Sequence, residues 1–229
     1  MTRYTLSTLI GTIAVLIACN GAHAKPDETS HDGLVLVPKT KFGEVYMKPN
    51  ADISEYAEIG LKDCSVSFRK NWERDQNRNR VDLSSRVTQK DVDRIKDSMS
   101  ESCKQIFREE LLKDPAYTIV DEFEDGQNVL LLRPAIIDLD INAPDVRSAG
   151  MSRTYTTSAG RMTLYLELFD ATTGDILARV VDKVRGMDSG QLQWTTSVSN
   201  KADAERAMRR WATLLRKGLD EAHSAQVKK

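Results

Sequence analysis

Residues 162–184, MTLYLELFDATTGDILARVVDKV, decide the fold of this chain. The segments 162–169 and 176–184 are rich in β-branched, aliphatic and aromatic residues, which favour β-strands. Between them lies DATTGD, in which Gly174 can adopt a positive φ without steric cost. The stretch therefore predicts an antiparallel hairpin.

Strand patterns also occur before this hairpin. The run 117–123 is joined to the run 129–141 by turn-forming residues, so a second hairpin is the simplest interpretation. The segments 142–157 and 186–200 lack a regular pattern and are predicted connections. In chain order, the other predicted strands are 33–38, 44–48 and 61–68.

Two segments have the apolar spacing of amphipathic helices. The first begins after Thr88, with Asp91 placed as in a capping box, and the second begins between Asn200 and Asp203. Together the elements predict an α+β fold, a mainly antiparallel sheet with both long helices packed on one face. No linker or repeat divides the chain. We expect one domain over 33–222, between a flexible segment at 25–32 and a flexible tail at 223–229.

Residues 1–24 form a predicted signal peptide. Arg3 precedes an apolar run that is too short to cross a bilayer. The sequence Ala-His-Ala ending at Ala24 matches the pattern that signal peptidase cleaves, so we expect export to the periplasm with cleavage after Ala24. Leu-Ile-Ala-Cys ending at Cys19 resembles a lipobox. In that alternative, Cys19 is lipidated and anchors the protein to the outer membrane.

Cys64 and Cys103 are the two cysteines outside the predicted leader. Cys64 alternates with polar residues in its strand, and Cys103 lies on the apolar face of the first helix, so both should point inward. An oxidising compartment favours a disulfide between them, and two buried free thiols are the alternative.

Composition argues against several functions. The chain has 33 basic and 34 acidic residues, so it lacks the basic excess of a nucleic-acid-binding protein. Its three histidines, His23, His31 and His223, all lie outside the predicted domain, which argues against histidine-based catalysis and zinc sites. No hydrolase, zinc-protease or P-loop motif occurs. We therefore predict no catalytic residue, cofactor or resident metal.

Two groups of polar residues are candidates for a site. Asp138 and Asp140 share one face of a predicted strand and can serve acid–base chemistry or hold calcium, unless they form an ordinary solvated face. The segment WERDQN places a tryptophan among polar side chains just past a strand, where binding residues are common. The alternative is a tryptophan ring packed onto the core. The candidate binding residues there are Trp72, Arg74, Asp75, Gln76 and Asn77.

Four motifs carry a family resemblance: FRKNWERDQN at 68–77, LRPAIID at 132–138, ELFDATTG at 167–174 and WATLL at 211–215. Through them the chain resembles, from about residue 33 to 219, the bacterial domain of unknown function 3313 family of exported proteins and candidate lipoproteins. The resemblance implies no activity, cofactor or catalytic residue.

A complete fold without a catalytic constellation predicts a non-enzymatic envelope protein, a binding or assembly module. Its expected partner is another envelope protein or a small ligand. Nucleic acid is not expected, and membrane contact is expected only through Cys19. The alternatives are an enzyme that works without histidine, using Asp138 and Asp140 with or without a divalent metal, and a cell-wall-associated lipoprotein.

Overall fold

The computed structural model describes residues 28–78, 80–83, 86–123, 127–141, 155–156, 160–185, 193–194 and 197–226. Within these residues the chain forms one mixed α/β domain with an eight-stranded sheet and three helices. The predicted signal peptide, the turn at 124–126 and most of the predicted connections at 142–157 and 186–200 lie outside the described residues.

The elements follow in chain order. The strands are β1 (Val35–Leu36), β2 (Glu44–Met47), β3 (Glu58–Leu61), β4 (Ser65–Phe68), β5 (Thr118–Val120), β6 (Val129–Asp140), β7 (Tyr155–Thr156), β8 (Arg161–Asp170), β9 (Ile176–Arg185) and β10 (Gln193–Trp194). The helices are α1 (Trp72–Asn77), α2 (Gln89–Leu111) and α3 (Ser197–Gln226). Strands β7 and β10 pair with each other, apart from the main sheet.

The hairpin predicted at 162–184 is confirmed. Strands β8 and β9 pair antiparallel along their length, and Gly174 in the turn has φ +72°. β6 pairs antiparallel with the other edge of β8, and β2 with the other edge of β9. The three long strands β6, β8 and β9 form the centre of the sheet.

The sheet is mixed, so the prediction of a mainly antiparallel sheet is confirmed only in part. Strands β3 and β4 run parallel to β6, and β5 runs parallel to β3. The hairpin predicted between 117–123 and 129–141 is wrong, because β3 lies between β5 and β6. The physical reason is α2. A helix between β4 and β5 carries the chain back along the sheet, and such a crossover delivers a parallel neighbour.

The predicted strand 61–68 is interrupted just before β4, at Cys64. Its first residue is the last residue of β3, its final four residues form β4, and β3 and β4 pair with successive parts of β6. Both Cys64 and Cys103 are 1% exposed and are joined by a disulfide with a Cα–Cα distance of 6.0 Å. The disulfide therefore fastens α2 to the sheet at the point where backbone pairing is interrupted.

Helix α2 begins as predicted, because Thr88 and Asp91 form both hydrogen bonds of a capping box. Helix α3 begins at Ser197, before Asn200, and continues through Gln226, so residues 223–226 are helical. Buried residues of both helices join one hydrophobic cluster with alternate residues of β6, β8 and β9. The cluster includes Phe107, Leu132, Leu164, Leu166, Val180, Met208 and Trp211. In the described part of the chain, no helix is long and apolar enough to span a membrane.

A buried carboxylate ties α3 to the sheet. Asp182 on β9 is 6% exposed and accepts a hydrogen bond of 2.7 Å from Trp211 Nε1. The backbone N–H of Gly43 donates to its other oxygen at 2.8 Å, and Arg210 Nη1 donates at 3.2 Å. Because these donors replace water, the charge is compensated inside the domain.

Candidate functional site

A bulge near the end of β6 shapes the candidate site. Asp138 has φ +52°, and the register with β8 shifts between Ile137 and Asp140. Consequently Ile136 and Leu139, three residues apart, are both buried, whereas Asp138 is exposed. The bulge turns Asp138 away from the regular alternation of the strand.

Asp140 lies between two arginines. Its Oδ1 is 2.9 Å from Arg69 Nε, and its Oδ2 is 3.0 Å from Arg161 Nη2. Arg69 Nη1 also donates to Asp75 Oδ2 at 2.6 Å. The Arg69 guanidinium lowers the pKa of the Asp75 carboxyl, and the neighbouring carboxylates of Asp75 and Asp140 raise the pKa of Arg69. Asp140 therefore serves as a counter-ion with both oxygens engaged.

A cleft of about 260 Å³ opens beside this network, at the joined ends of β6, β8 and β9. Among the described residues that line it, Asp138 is the single acidic one, against four basic residues. The lining residues are Arg69, Asp138, Arg161, Met162, Thr163, Lys183, Val184 and Arg185. We call this the cationic cleft.

The hairpin register concentrates positive charge in the cationic cleft. Arg161 lies directly opposite Arg185, and Thr163 lies opposite Lys183. Side chains directly opposite on antiparallel strands lie about 4.5–5.5 Å apart at Cβ, so like charges there repel. Asp140 compensates Arg161, but neither Lys183 nor Arg185 has an ion pair within the described residues. The positive charges on the β9 side of the cleft therefore have no counter-ion among the described residues.

The predicted binding segment WERDQN forms α1, next to the cleft. Trp72 is 2% exposed, stacks on Phe68 with ring centroids 4.0 Å apart, and donates from Nε1 to Ile141 O at 2.8 Å. The indole thus fixes α1 against the end of β6.

The other predicted binding residues have different environments. Asn77 hydrogen-bonds to the backbone of Val87, and Asp75 holds Arg69. The Arg74 side chain is 74% exposed. Gln76 lies beside them in the same helix. The binding role of Trp72 and of residues 74–77 stays a prediction.

The candidate residues predicted from the sequence do not include Arg161, Lys183 and Arg185. Counting outward from the turn pair Phe169–Ile176 would place Arg161 opposite Val184. A register shift between Leu168 and Phe169 places it opposite Arg185 instead, and neither this shift nor the bulge at Asp138 has a signal in the sequence. Among the residues with described positions, no group of three or more His, Cys, Asp or Glu residues is arranged to hold a metal ion.

Several solved structures are similar to this chain. The PelC dodecamer from Paraburkholderia phytofirmans aligns with a TM-score of 0.38 and 10% identity, covering 75% of this chain and 98% of that chain. A structure described as a neuraminyllactose-binding hemagglutinin homolog from Helicobacter pylori aligns with a TM-score of 0.38 and 13% identity, covering 74% and 88%. These scores are too low to carry an argument about function.

No curated protein matches the chain. A family model does, over residues 32–215, and this range contains the four motifs at 68–77, 132–138, 167–174 and 211–215. The model is described as a protein of unknown function. The chain therefore belongs to the DUF3313 family.

Proposed function

We propose that the protein is an exported, non-enzymatic binding module that recognises an anionic group in the cationic cleft. The observation that carries this proposal is the direct opposition of Arg161 and Arg185, with Lys183 on the same side of β9. A bound anion offsets the repulsion between these cations. Guanidinium groups suit this role because they bind carboxylate or phosphate through two parallel hydrogen bonds.

The size and polarity of the cleft restrict the ligand. A volume of about 260 Å³ is slightly smaller than the typical pockets for drug-sized molecules, which begin at about 300 Å³. The cleft thus suits a small anion or the charged end of a larger molecule. Asp138 at the rim supplies an acceptor for a hydroxyl or amino group of the ligand, and Thr163 supplies a hydroxyl group.

An NMR titration with inorganic phosphate tests the binding site. We expect amide shifts concentrated at residues 161–163 and 183–185, and we expect Lys183→Gln to weaken them. Lys217→Gln is the matched control, because Lys217 is exposed on α3, away from the cleft. Shifts spread evenly over the surface, or an unchanged response in Lys183→Gln, contradict the proposal.

Export is proposed on the leader sequence. The intact mass of the protein made in a Gram-negative host tests it: a mature chain that begins at Lys25 is expected after cleavage following Ala24. A mature chain that begins at a lipid-modified Cys19 supports the lipid-anchored alternative instead. A chain that retains residues 1–24 in the cytoplasm contradicts export.

A further inference from the structure

A loop between α1 and α2 is closed at its base by reciprocal hydrogen bonds. Asn77 Nδ2 donates to Val87 O at 2.9 Å, and Val87 N donates to Asn77 Oδ1 at 2.8 Å. Val87 is 3% exposed and packs with Trp72 and Val92 in a small hydrophobic cluster. The two ends of the loop are therefore anchored in the domain. We call the described residues between these two ends, 78, 80–83 and 86, the clamped loop.

The clamped loop exposes apolar side chains. Val81 is 93% exposed and Leu83 is 73% exposed, the highest values for large hydrophobic residues in the described chain. Its sequence between Asn77 and Val87 holds three arginines and one aspartate. Arg86 Nε donates to the carbonyl of Arg80 at 3.2 Å, which joins the two sides of the loop. The result is an apolar tip with a basic rim.

The clamped loop lies at the same end of the domain as the cationic cleft. The hydrogen bond from Trp72 to Ile141 O fixes α1 to the end of β6, and the cleft opens at that end. This end is rich in basic side chains, although the whole chain has a formal net charge of −1. Its charge is complementary to an anionic surface.

We propose that the clamped loop docks the domain onto an anionic lipid bilayer. Val81 and Leu83 enter the boundary between headgroups and acyl chains, while the arginines contact lipid phosphates. Two aliphatic side chains form a small apolar patch, far below the roughly 800 Å² that each partner buries in a standard protein–protein interface. A bilayer needs no such area, because it accepts individual side chains. This proposal does not depend on the ligand of the cleft.

Co-sedimentation of the purified, unlipidated mature protein with vesicles tests the proposal. Vesicles of equal parts phosphatidylglycerol and phosphatidylcholine should bind it at low salt, and pure phosphatidylcholine vesicles should not. The double variant Val81→Ser/Leu83→Ser should bind about tenfold more weakly. The matched control is Leu112→Ser, because Leu112 is also exposed and lies beyond the far end of α2, whose 23 residues span about 33 Å.

Each outcome bears on the proposal. Loss of binding in the loop variant with retention in Leu112→Ser supports it. No binding of the wild-type protein, equal binding of the loop variant, equal loss in both variants, or equal binding to both vesicle types overturns it. The phosphate titration of the cleft is repeated on the loop variant: an unchanged titration shows that the domain is folded, and it separates failure of membrane docking from failure of anion recognition.

Discussion

Arg161 and Arg185 face each other across β8 and β9, at the open end of the central hairpin. Asp140 lies opposite Arg161 on the other neighbouring strand and reaches it at 3.0 Å, whereas Arg185 has no ion pair within the part of the chain that the structure describes. Lys183, two residues before Arg185, adds a further positive charge to the same cleft. The repulsion is therefore only half compensated by the protein itself.

The disulfide should make a large contribution to stability. Cys64 and Cys103 are 39 residues apart, so the cross-link reduces the entropy of the unfolded chain. The double variant Cys64→Ser/Cys103→Ser should lose about 4 kcal/mol of the free energy of unfolding, measured by urea denaturation. Thiol counting on denatured, unreduced wild-type protein checks the premise. Two reactive thiols there, or an unchanged urea midpoint in the variant, contradict this prediction.

Asp182 should be essential for the attachment of α3. In Asp182→Ala, the N–H groups of Trp211 and Gly43 lose their acceptor inside the domain. We expect the free energy of unfolding to fall by about 3 kcal/mol, because buried unpaired donors are costly. Asp121→Ala is the control: its side chain is 74% exposed and 3.5 Å from Arg108, so the change should stay within about 0.5 kcal/mol. Equal effects in the two variants contradict the prediction.

The ion pair between Asp32 and Arg179 should make stability depend on acid pH. The side chain of Arg179 is 9% exposed and contacts Asp32 and Glu167. It therefore holds Asp32, the last residue of the predicted flexible segment 25–32, against β9. Hydrogen bonds from Arg179, and then from Ser30, hold the pKa of Asp32 well below its usual range.

A lowered pKa in the folded state stabilises the protein above the pKa of the unfolded chain, near 3.8, and the effect is lost as pH falls further toward the folded value. Asp32→Asn should therefore lower the free energy of unfolding by about 1–2 kcal/mol at pH 7. The difference from wild type should shrink below pH of about 4. Urea denaturation of both proteins from pH 7 to below pH of about 4 measures this difference. Asp97→Asn is the control, because Asp97 is exposed. A difference that is the same at every pH is incompatible with this explanation.

Local patterns predicted the elements whose partners are close in sequence. The hairpin around Gly174, the capping box at Thr88 and the inward positions of Cys64 and Cys103 all follow from residue spacing. The parallel pairings of β3, β4 and β5 could not be predicted from residue spacing, because they depend on where α2 returns the chain. Turn-forming residues at 124–127 favour a hairpin, but β5 and β6 run in the same direction, because both pair parallel with β3.

In the candidate site, too, local features could be predicted from the sequence and long-range contacts could not. The acidic residues Asp138 and Asp140 were visible in the sequence, but the bulge gives them different environments, and Asp140 is held by Arg69 and Arg161. Arg69 is distant in sequence from Asp140 and Arg161, so only the parallel pairing of β4 with β6 brings it to them. The positive charge of the cleft emerges from strand register combined with this long-range contact.

The thermal stability of Arg185→Gln in phosphate and in chloride at equal ionic strength tests anion recognition most directly. In chloride, the variant should be at least as stable as wild type, because the repulsion with Arg161 is removed. Phosphate should raise the melting temperature of wild type clearly more than that of the variant, since a ligand stabilises the state that binds it. Lys217→Gln should behave as wild type. Equal phosphate responses in wild type and Arg185→Gln would contradict the account.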